Sequence, residues 1–481
     1  MKKRDVFLFA FILLSFFLHG QDNLLICDKY ISKENDISTL ILQKSVANLS
    51  VDFVDINLEK IKFFNEFILQ FGGKQFIVTK HKVQERGINN FSFIGKNRND
   101  GSSLTLSVLN DDIQGVIETN DGVYSIETIE KGNYAIVKLD HSKLVEACDQ
   151  IKNDSNNIED SSTSEHVNGN LIRIDSPTLF STMEYNCKVR VLVLYTPGAQ
   201  ASVSNINNTV LLAIAETNQS FANSDINYEV ELAYCGLTNY TESGDYTNDL
   251  YRFRNSSDSY MNEVHELRDQ YSADICVLLI NDVTYCGLAY GINVIERNAF
   301  CAVTAYNCAT GYYSFGHEIG HLLGCRHDTF VDSSVTPFRY GHGYVSPTNN
   351  WRTIMAYGNA CSGCTRIQYW SNPNILFGGI STGTTGLNNN ARVWNEQSNN
   401  VMTFRQPANS ITFTNSYIPN NTAIADIIVK NNIITSGNIN ITNGKILNMR
   451  AGNSITLQSG FSVELGAEYS VLIEGISDCG N

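Results

Sequence analysis

The chain has 481 residues, and 34 Lys and Arg stand against 49 Asp and Glu, so the formal net charge is −15 at pH 7. Hydrophobic residues make up 43% and charged residues only 17%, a balance that excludes an intrinsically disordered chain. The acidic excess, with no basic tract beyond residues 2–4, argues against a nucleic-acid partner. At this length we expect two or three folded units.

The N-terminus is typical of a secretory signal peptide. Three basic residues at positions 2–4 precede an apolar run from Val6 to Leu18, which is shorter than the roughly 20 residues that span a bilayer. We therefore predict a signal peptide over residues 1–20 and a secreted protein. An uncleaved anchor and lipid attachment at Cys27 are the alternatives. No later run is long and apolar enough to predict a transmembrane segment.

The cysteines support export. Twelve cysteines behind a signal peptide indicate an oxidising compartment and disulfides, whose pairing the sequence leaves open. Nine of them fall between Cys187 and Cys364. Cys276 lies inside the apolar run from Ile275 to Ile280, so we expect a buried thiol there. Eight cysteines of this region are left for disulfides.

Two segments precede the central region. Residues 21–149 alternate short apolar runs with turn signals such as Asn99-Asp100-Gly101, which predicts a mostly antiparallel β domain. Residues 150–187 form a linker that is rich in Asp, Asn and Ser over much of its length. Such a composition is a natural site for proteolytic processing.

Residues 188–406 alternate strand and helix patterns, which predicts an α/β core. The predicted strands cover Val189 to Leu194, Tyr228 to Ala233 and Ala273 to Ile280, and the predicted helices cover Val210 to Phe221 and Tyr260 to Tyr271. Residues 407–481 are dominated by Asn, Ile, Thr, Ser and Gly, which predicts a small all-β C-terminal module. A loose similarity between residues 439–444 and 454–460 hints at stacked β turns.

The residues that indicate chemistry form one run, His-Glu-Ile-Gly-His-Leu-Leu-Gly-Cys-Arg-His-Asp, over residues 317–328. On a helix, His317 and His321 project from one face one turn apart and can bind one metal ion. Zinc lowers the pKa of a water and polarises a carbonyl, while Glu318 takes the proton as general base and passes it to the leaving amine. The spacing predicts peptide hydrolysis without a covalent intermediate.

A third ligand follows the helix. Gly324 can adopt φ > 0, which turns the chain and brings His327 back to the metal. The fourth position stays open for water, as in catalytic rather than structural zinc sites. A surface helix that carries histidines by chance is the alternative. Cys325 lies between the ligands, and because three histidines already supply them, we expect it to form a disulfide with another central cysteine; zinc binding by Cys325 is the alternative.

This run resembles the extended motif of the metzincin superfamily of zinc peptidases. Asp328, directly after the third histidine, is similar to the adamalysin or reprolysin branch, and the resemblance implies a buried structural role for it. Residues 353–357, Thr-Ile-Met-Ala-Tyr, resemble the metzincin Met-turn, in which Met355 would form the floor beneath the metal. Tyr357 is more similar to the astacin and serralysin branches, where such a tyrosine stabilises the oxyanion; packing against the Met-turn wall is the alternative.

Shorter fragments extend the resemblance to bacterial reprolysin-like secreted peptidases over Val189 to Arg405. They are Tyr195-Thr196-Pro197, Cys286-Gly287-Leu288-Ala289-Tyr290, and Arg366 with Ser371-Asn372-Pro373. The resemblance implies an α/β (α+β) metzincin catalytic domain with a mixed twisted sheet and a zinc-binding helix. It also implies one catalytic Zn²⁺, with calcium not indicated, and protein or peptide substrates. An extended substrate would add to an edge strand at residues 286–290.

Metzincins are commonly zymogens, which implies that residues 21–149 are a propeptide domain. In several branches a propeptide cysteine occupies the fourth zinc position, so Cys148 is the candidate latency thiol; a disulfide between Cys27 and Cys148 is the alternative. The C-terminal module resembles small β modules at the ends of many secreted proteins of Bacteroidetes. That likeness implies a role in secretion, in attachment to the cell surface or as a spacer.

The most direct interpretation is therefore a secreted zinc metalloendopeptidase with Glu318 as general base. A zinc hydrolase that acts on other bonds is one alternative. A surface adhesion or peptide-binding protein with a vestigial peptidase domain is another, although such a protein would normally have lost a ligand or the general base, and none is substituted here.

Overall fold

The computed structural model describes residues 23–31, 34–87, 90–97, 100–145 and 187–479. The predicted signal peptide, the candidate latency thiol Cys148 and residues 150–186 of the predicted linker lie outside these ranges. No helix within them is long and apolar enough to cross a bilayer.

The described helices are α1 Glu34–Lys44, α2 Pro197–Ser202, α3 Ile206–Asn223, α4 Tyr246–Arg254, α5 Glu263–Gln270, α6 Ser314–Leu323 and α7 Asn390–Val401. The strands up to the metal motif are β1 Leu24–Asp28, β2 Asn48–Ile56, β3 Glu66–Phe71, β4 Lys74–Gly87, β5 Asn90–Lys96, β6 Ser103–Leu109, β7 Asp112–Thr119, β8 Gly122–Glu130, β9 Asn133–Leu139, β10 Val189–Tyr195, β11 Val230–Leu237, β12 Ile275–Ile280, β13 Gly287–Ala289 and β14 Phe300–Thr304. The strands after it are β15 Val345–Ser346, β16 Trp351–Arg352, β17 Thr365–Arg366, β18 Leu376–Phe377, β19 Ile380–Ser381, β20 Ala408–Phe413, β21 Thr422–Thr435, β22 Ile439–Ile441, β23 Ile446–Ala451, β24 Ser454–Thr456, β25 Phe461–Val463 and β26 Glu468–Ile473.

Strands β1 to β9 close into a barrel in the order β1-β2-β9-β8-β7-β6-β5-β4-β3. Neighbours pair antiparallel, except that β1 and β3 are parallel. Alternate residues of β3, Phe67, Leu69 and Phe71, are fully buried and help to fill the barrel interior, as the two-residue period of a strand requires. The mostly antiparallel β structure predicted for this region is therefore found in its described part.

The central sheet has the order β13-β14-β12-β10-β11-β21-β23-β26, with β20 and β24 also paired to β21. Strands β10, β11, β12 and β14 are parallel, whereas β13 and β21 join antiparallel. Every residue of β10 is buried, because helices cover both faces. Val191 and Val193 pack with α3 and α6, and Leu192 and Leu194 pack with α4 and α5. The predicted α/β core with a mixed sheet is confirmed.

The C-terminal strands extend this sheet instead of standing apart, because β21 pairs with β11. Strands β21, β23 and β26 then stack in parallel with a spacing of 22 residues, as in the register of Ile424 with Ile446 and of Asn448 with Ser470. The Ser470 hydroxyl donates to the Asn448 amide oxygen at 2.6 Å. Stacked β structure is thus present. The similarity noted between residues 439–444 and 454–460 does not follow this 22-residue spacing.

The described residues contain three disulfides, Cys187–Cys479, Cys286–Cys308 and Cys361–Cys364. Cys276 is a buried thiol, as predicted. The expectation of a disulfide at Cys325 is wrong, as is the expectation that eight central cysteines pair, since Cys235 and Cys301 are also buried thiols. Cys325 sits in the apolar core with its sulfur 3.9 Å from the carbonyl oxygen of Asn390, where a thiol packs as a small hydrophobic group.

A buried ion network joins the C-terminal strands to the central sheet. Glu231 on β11 accepts from Arg190 on β10 and, at 2.7 Å, from Arg450 on β23. Asp426 on β21 accepts from the same two arginines. Burial alone would raise the pKa of Glu231, but the charges of Arg190 and Arg450 outweigh it and lower that pKa to about 2.

Because the pKa of Glu231 is depressed from 4.5, its charge contributes stability that is present above pH 4.5 and is lost as the pH falls toward about 2. We expect this contribution to be about 3 kcal/mol. Urea unfolding of Glu231→Gln should show a smaller loss of stability than the parent between pH 5 and pH 2.5. Glu66→Gln, at an exposed position, is the control, and equal acid slopes for all three proteins would contradict the prediction.

Candidate metal centre

Helix α6 carries the first two histidines of the motif and is buried along its whole length. It begins after Tyr313, whose φ is 61°, and ends at Gly324, whose φ is 115°. The amide of Gly324 donates back to the carbonyl oxygens of Gly320 and His321. This left-handed glycine closes the helix and reverses the chain, as the sequence predicts.

The reversal brings three imidazoles together. The Nε2 atom of His327 lies 3.2 Å from that of His317 and 2.9 Å from that of His321. Three nitrogens that bind one metal tetrahedrally at roughly 2.0–2.1 Å would lie roughly 3.3 Å apart. All three side chains are buried. The donor set therefore fits a single metal ion held by three imidazoles.

The tautomers also fit a metal ion. The Nδ1 atom of His317 lies 2.9 Å from the carbonyl oxygen of Ile354, and that of His321 lies 2.8 Å from the carbonyl oxygen of Cys325. A carbonyl only accepts, so each Nδ1 carries the proton and each Nε2 presents a lone pair. Burial lowers the pKa of all three histidines, to about 4 for His321. Neutral imidazoles are the form that binds metal.

Residues 353–357, the candidate Met-turn, lie against helix α6 beside this cluster. Met355 is fully buried, and its sulfur is 3.3 Å from the position that a Cβ on Gly320 would occupy. Asp328 is buried and accepts the amide of Tyr357 at 2.8 Å, which ties the third histidine's loop to the turn. The ring of Tyr357 lies against that of His327, with centroids 4.2 Å apart. This position is compatible with both roles considered for Tyr357.

Glu318 faces the edge of the central sheet. Strand β13 is the last strand on its side of the sheet within the described ranges, as expected for residues 286–290. A Cβ on Gly287 would lie 2.4 Å from Oε1 of Glu318, so only glycine leaves room for the carboxylate. The Cys286–Cys308 disulfide holds the start of this strand. An extended peptide added to β13 would pass beside Glu318 and the three histidines.

Some buried charged residues near the site lie outside the motif of residues 317–328. Glu118 of the barrel accepts the hydroxyl of Tyr313 at 2.6 Å and the amide of Gln368 at 2.8 Å; burial raises its pKa to about 7. Arg352 and Arg366 lie behind the Met-turn and are both buried. The family resemblance draws attention to Arg366 but assigns it no role, and nothing in the sequence indicates Arg352, because the positions of both depend on the tertiary fold.

Comparison with known proteins supports the geometry. A model described as "Metallo-peptidase family M12" matches residues 185–371, a range that contains the three histidines and the Met-turn. A "Peptidyl-Asp metalloendopeptidase" of Stenotrophomonas maltophilia is 40% identical over 310 residues, which cover 63% of this chain and 71% of that protein. The chain belongs to metallopeptidase family M12.

Other relatives of this M12 chain carry the same name. One from a second strain of Stenotrophomonas maltophilia is 48% identical over 45% of this chain and 52% of its own length. One from Pseudomonas fragi is 44% identical over 34% of this chain and 85% of its own length. The chain thus spans about half the length of some of these relatives. A crystal structure of metalloproteinase-II from Bacteroides fragilis matches with 15% identity, over 56% of this chain and 84% of that one, and with a TM-score of 0.36, which is too low to support an argument.

Removal of one imidazole should abolish tight metal binding. For His327→Ala we expect the affinity for the metal to fall at least about 100-fold. Less metal should then remain bound per chain after dialysis, as measured by elemental mass spectrometry. His81→Ala, at an exposed position in the barrel, should keep the parent's metal content. Full metal loading of His327→Ala would contradict the assignment.

The contact between Gly287 and Glu318 gives a second prediction. In Gly287→Ala the new methyl group must displace the Glu318 carboxylate, so turnover of a peptide substrate should fall roughly 100-fold while the metal content is unchanged. Gly386→Ala introduces a methyl group where no heavy atom lies within 4 Å and is the matched control. Equal turnover of both variants would show that the carboxylate's position is unimportant.

Proposed function

We propose that the chain is a secreted zinc-dependent endopeptidase in which His317, His321 and His327 hold one Zn²⁺ and Glu318 is the general base. The observation that carries the proposal is the convergence of three Nε2 lone pairs beside a buried carboxylate at a sheet edge. Membership in family M12 supports a metal-dependent peptidase. The metzincin type rests on the Gly324 turn and the Met-turn beneath the histidines.

When bound, zinc supplies a Lewis acid that lowers the pKa of a water and polarises the scissile carbonyl. Glu318 accepts the proton of the attacking water and later donates it to the leaving amine. The space beside Gly287 lets the Glu318 carboxylate lie next to the edge strand along which the peptide would bind. Tyr357, packed on the ring of His327, is our candidate for a hydroxyl that stabilises the oxyanion.

The proposed substrates are proteins and peptides with an acidic residue at the cleavage site. The relatives named peptidyl-Asp metalloendopeptidase support this class. An edge strand binds a peptide mainly through its backbone, so β13 would accept many sequences. Selectivity for an acid must then come from positive charge elsewhere in the site.

We further propose that the barrel acts as a propeptide. Its last described residues, 140–145, reach the catalytic region, where Leu144 packs near Tyr312 and the Cys286–Cys308 disulfide. Glu118 and its partners add a second buried contact between the two regions. For the C-terminal strands we propose a role in secretion or surface attachment, which rests on their likeness to modules of secreted proteins.

The general-base role has a direct test. Glu318→Gln keeps the side chain's shape but cannot accept the proton, so we expect kcat to fall by about 10²–10⁴-fold with zinc content unchanged. Protein produced from the full chain and processed at its N-terminus should be used, because the barrel is proposed to be a propeptide, whereas β21 pairs with β11 and Cys479 is bonded to Cys187. Glu396→Gln, at a partly exposed position on α7, is the matched control.

Retention of kcat within about tenfold by Glu318→Gln would overturn the mechanism. Zinc loading without turnover of any peptide by the processed parent would instead favour the vestigial, peptide-binding alternative.

A further inference from the structure

Two arginine side chains lie buried between the Met-turn and the N-terminus of α6. Arg352 and Arg366 are register neighbours in the parallel strands β16 and β17, and their exposures are 0% and 2%. Both guanidinium groups reach Tyr312, which precedes α6. Arg352 donates to the Tyr312 hydroxyl at 3.2 Å, and Arg366 donates to its carbonyl oxygen at 3.0 Å. Two positive charges are thus held together inside the protein.

Arg366 has no carboxylate within salt-bridge distance among the described residues. Its guanidinium carbon lies 3.9 Å from the centre of the Tyr312 ring, and its Nε is buried with no hydrogen-bond partner in the described structure. Burial of a cation without a paired acid is costly unless other groups compensate. Two other buried arginines of the described residues, Arg190 and Arg326, do have acidic partners.

The buried pair Arg352 and Arg366 lies next to the metal centre. Arg352 also donates to the carbonyl oxygen of Ala356 at 3.1 Å, and Ala356 is the residue after the Met-turn methionine. Two residues beyond Arg352, the carbonyl oxygen of Ile354 accepts from Nδ1 of His317 at 2.9 Å, so the same turn contacts both the arginine and a histidine of the cluster. The N-terminus of α6 adds partial positive charge on the same side.

We propose that Arg352 and Arg366 form the specificity pocket that binds the carboxylate side chain of the substrate residue next to the scissile bond. This inference rests on the proposed endopeptidase function and deepens it. A guanidinium fork binds a carboxylate through two parallel hydrogen bonds. The unused Nε of Arg366 is a donor that such a carboxylate would satisfy. Both arginines are specificity residues rather than catalytic ones.

The N-terminal unit covers this pair in the structure. The His141 ring stands edge-on to Tyr312 with centroids 5.0 Å apart, and its Nδ1 accepts the amide of Arg366 at 3.2 Å. Burial and the two arginine charges lower the pKa of His141 well below its usual range, so the ring is neutral there. A substrate reaches the arginines only after residues 140–144 have moved away.

The test compares cleavage of matched peptides that carry Asp, Asn or Ala on either side of the cleaved bond. The enzyme is the protein secreted from cells that express the full chain, and its N-terminus is identified by mass spectrometry. We expect the parent to favour Asp over Asn at one of these positions by at least about 100-fold in kcat/KM. Arg366→Gln should lower kcat/KM for the Asp peptide to the level of the Asn peptide. Its kcat/KM for the Asn peptide should stay within about threefold of the parent, and Arg366→Lys should recover part of the preference.

Arg392→Gln removes a half-exposed charge from α7 and is the control. An equal loss for Asp and Asn peptides in a folded, zinc-loaded Arg366→Gln would overturn the proposal, since a purely structural arginine acts on both alike. If Arg366→Gln does not fold, the selectivity of the parent is measured instead, and the absence of a preference for Asp over Asn peptides overturns the proposed pocket. A preference for Asp that is lost in Arg352→Gln supports it. Cleavage without acid preference leaves the endopeptidase function standing, whereas no cleavage of any peptide refutes that function itself.

Discussion

The site depends on two hydrogen bonds that hold imidazole rings to backbone carbonyls. His317 donates to Ile354 in the Met-turn, and His321 donates to Cys325 just past the helix end. Each bond fixes one tautomer and aims one Nε2 lone pair at a common point, at which the Gly324 turn also directs His327. In our proposal the Met-turn is therefore part of the metal centre although it supplies no ligand. Close packing of α6 on the sheet and the turn prevents these rings from rotating away.

The same close packing explains the charge distribution around the site. The histidines are neutral because they are buried, and the carboxylate of Glu318 stands beside them at an edge strand. Behind the Met-turn, Arg352 and Arg366 concentrate positive charge in a chain whose net charge is −15. The barrel docks over this region through Glu118 and His141. Under our proposals, the metal centre, the acid-binding arginines and the covering N-terminal unit meet around Tyr312.

The sequence predicts best what depends on local geometry. The helix, the glycine turn and the convergence of three histidines follow from spacing alone, as does the buried strand β10. Disulfide pairing could not be predicted, because Cys187 and Cys479 meet only through the tertiary fold, and Cys325 is a core thiol. The long strand β21, which joins the C-terminal region to the central sheet, has no strong turn or alternation signal. The pairing of Arg352 with Arg366 likewise depends on two short strands that no pattern indicates.

X-ray absorption at the zinc edge of the purified protein tests the central claim most directly, because it reads the ligands of the metal without any substitution. We predict one zinc per chain with three imidazole nitrogens at roughly 2.0–2.1 Å, and a fourth ligand that is oxygen in the mature enzyme. A sulfur in that position before processing would support a cysteine as the latency ligand, with Cys148 as the candidate. Fewer than three imidazoles, or a metal other than zinc, would contradict the account.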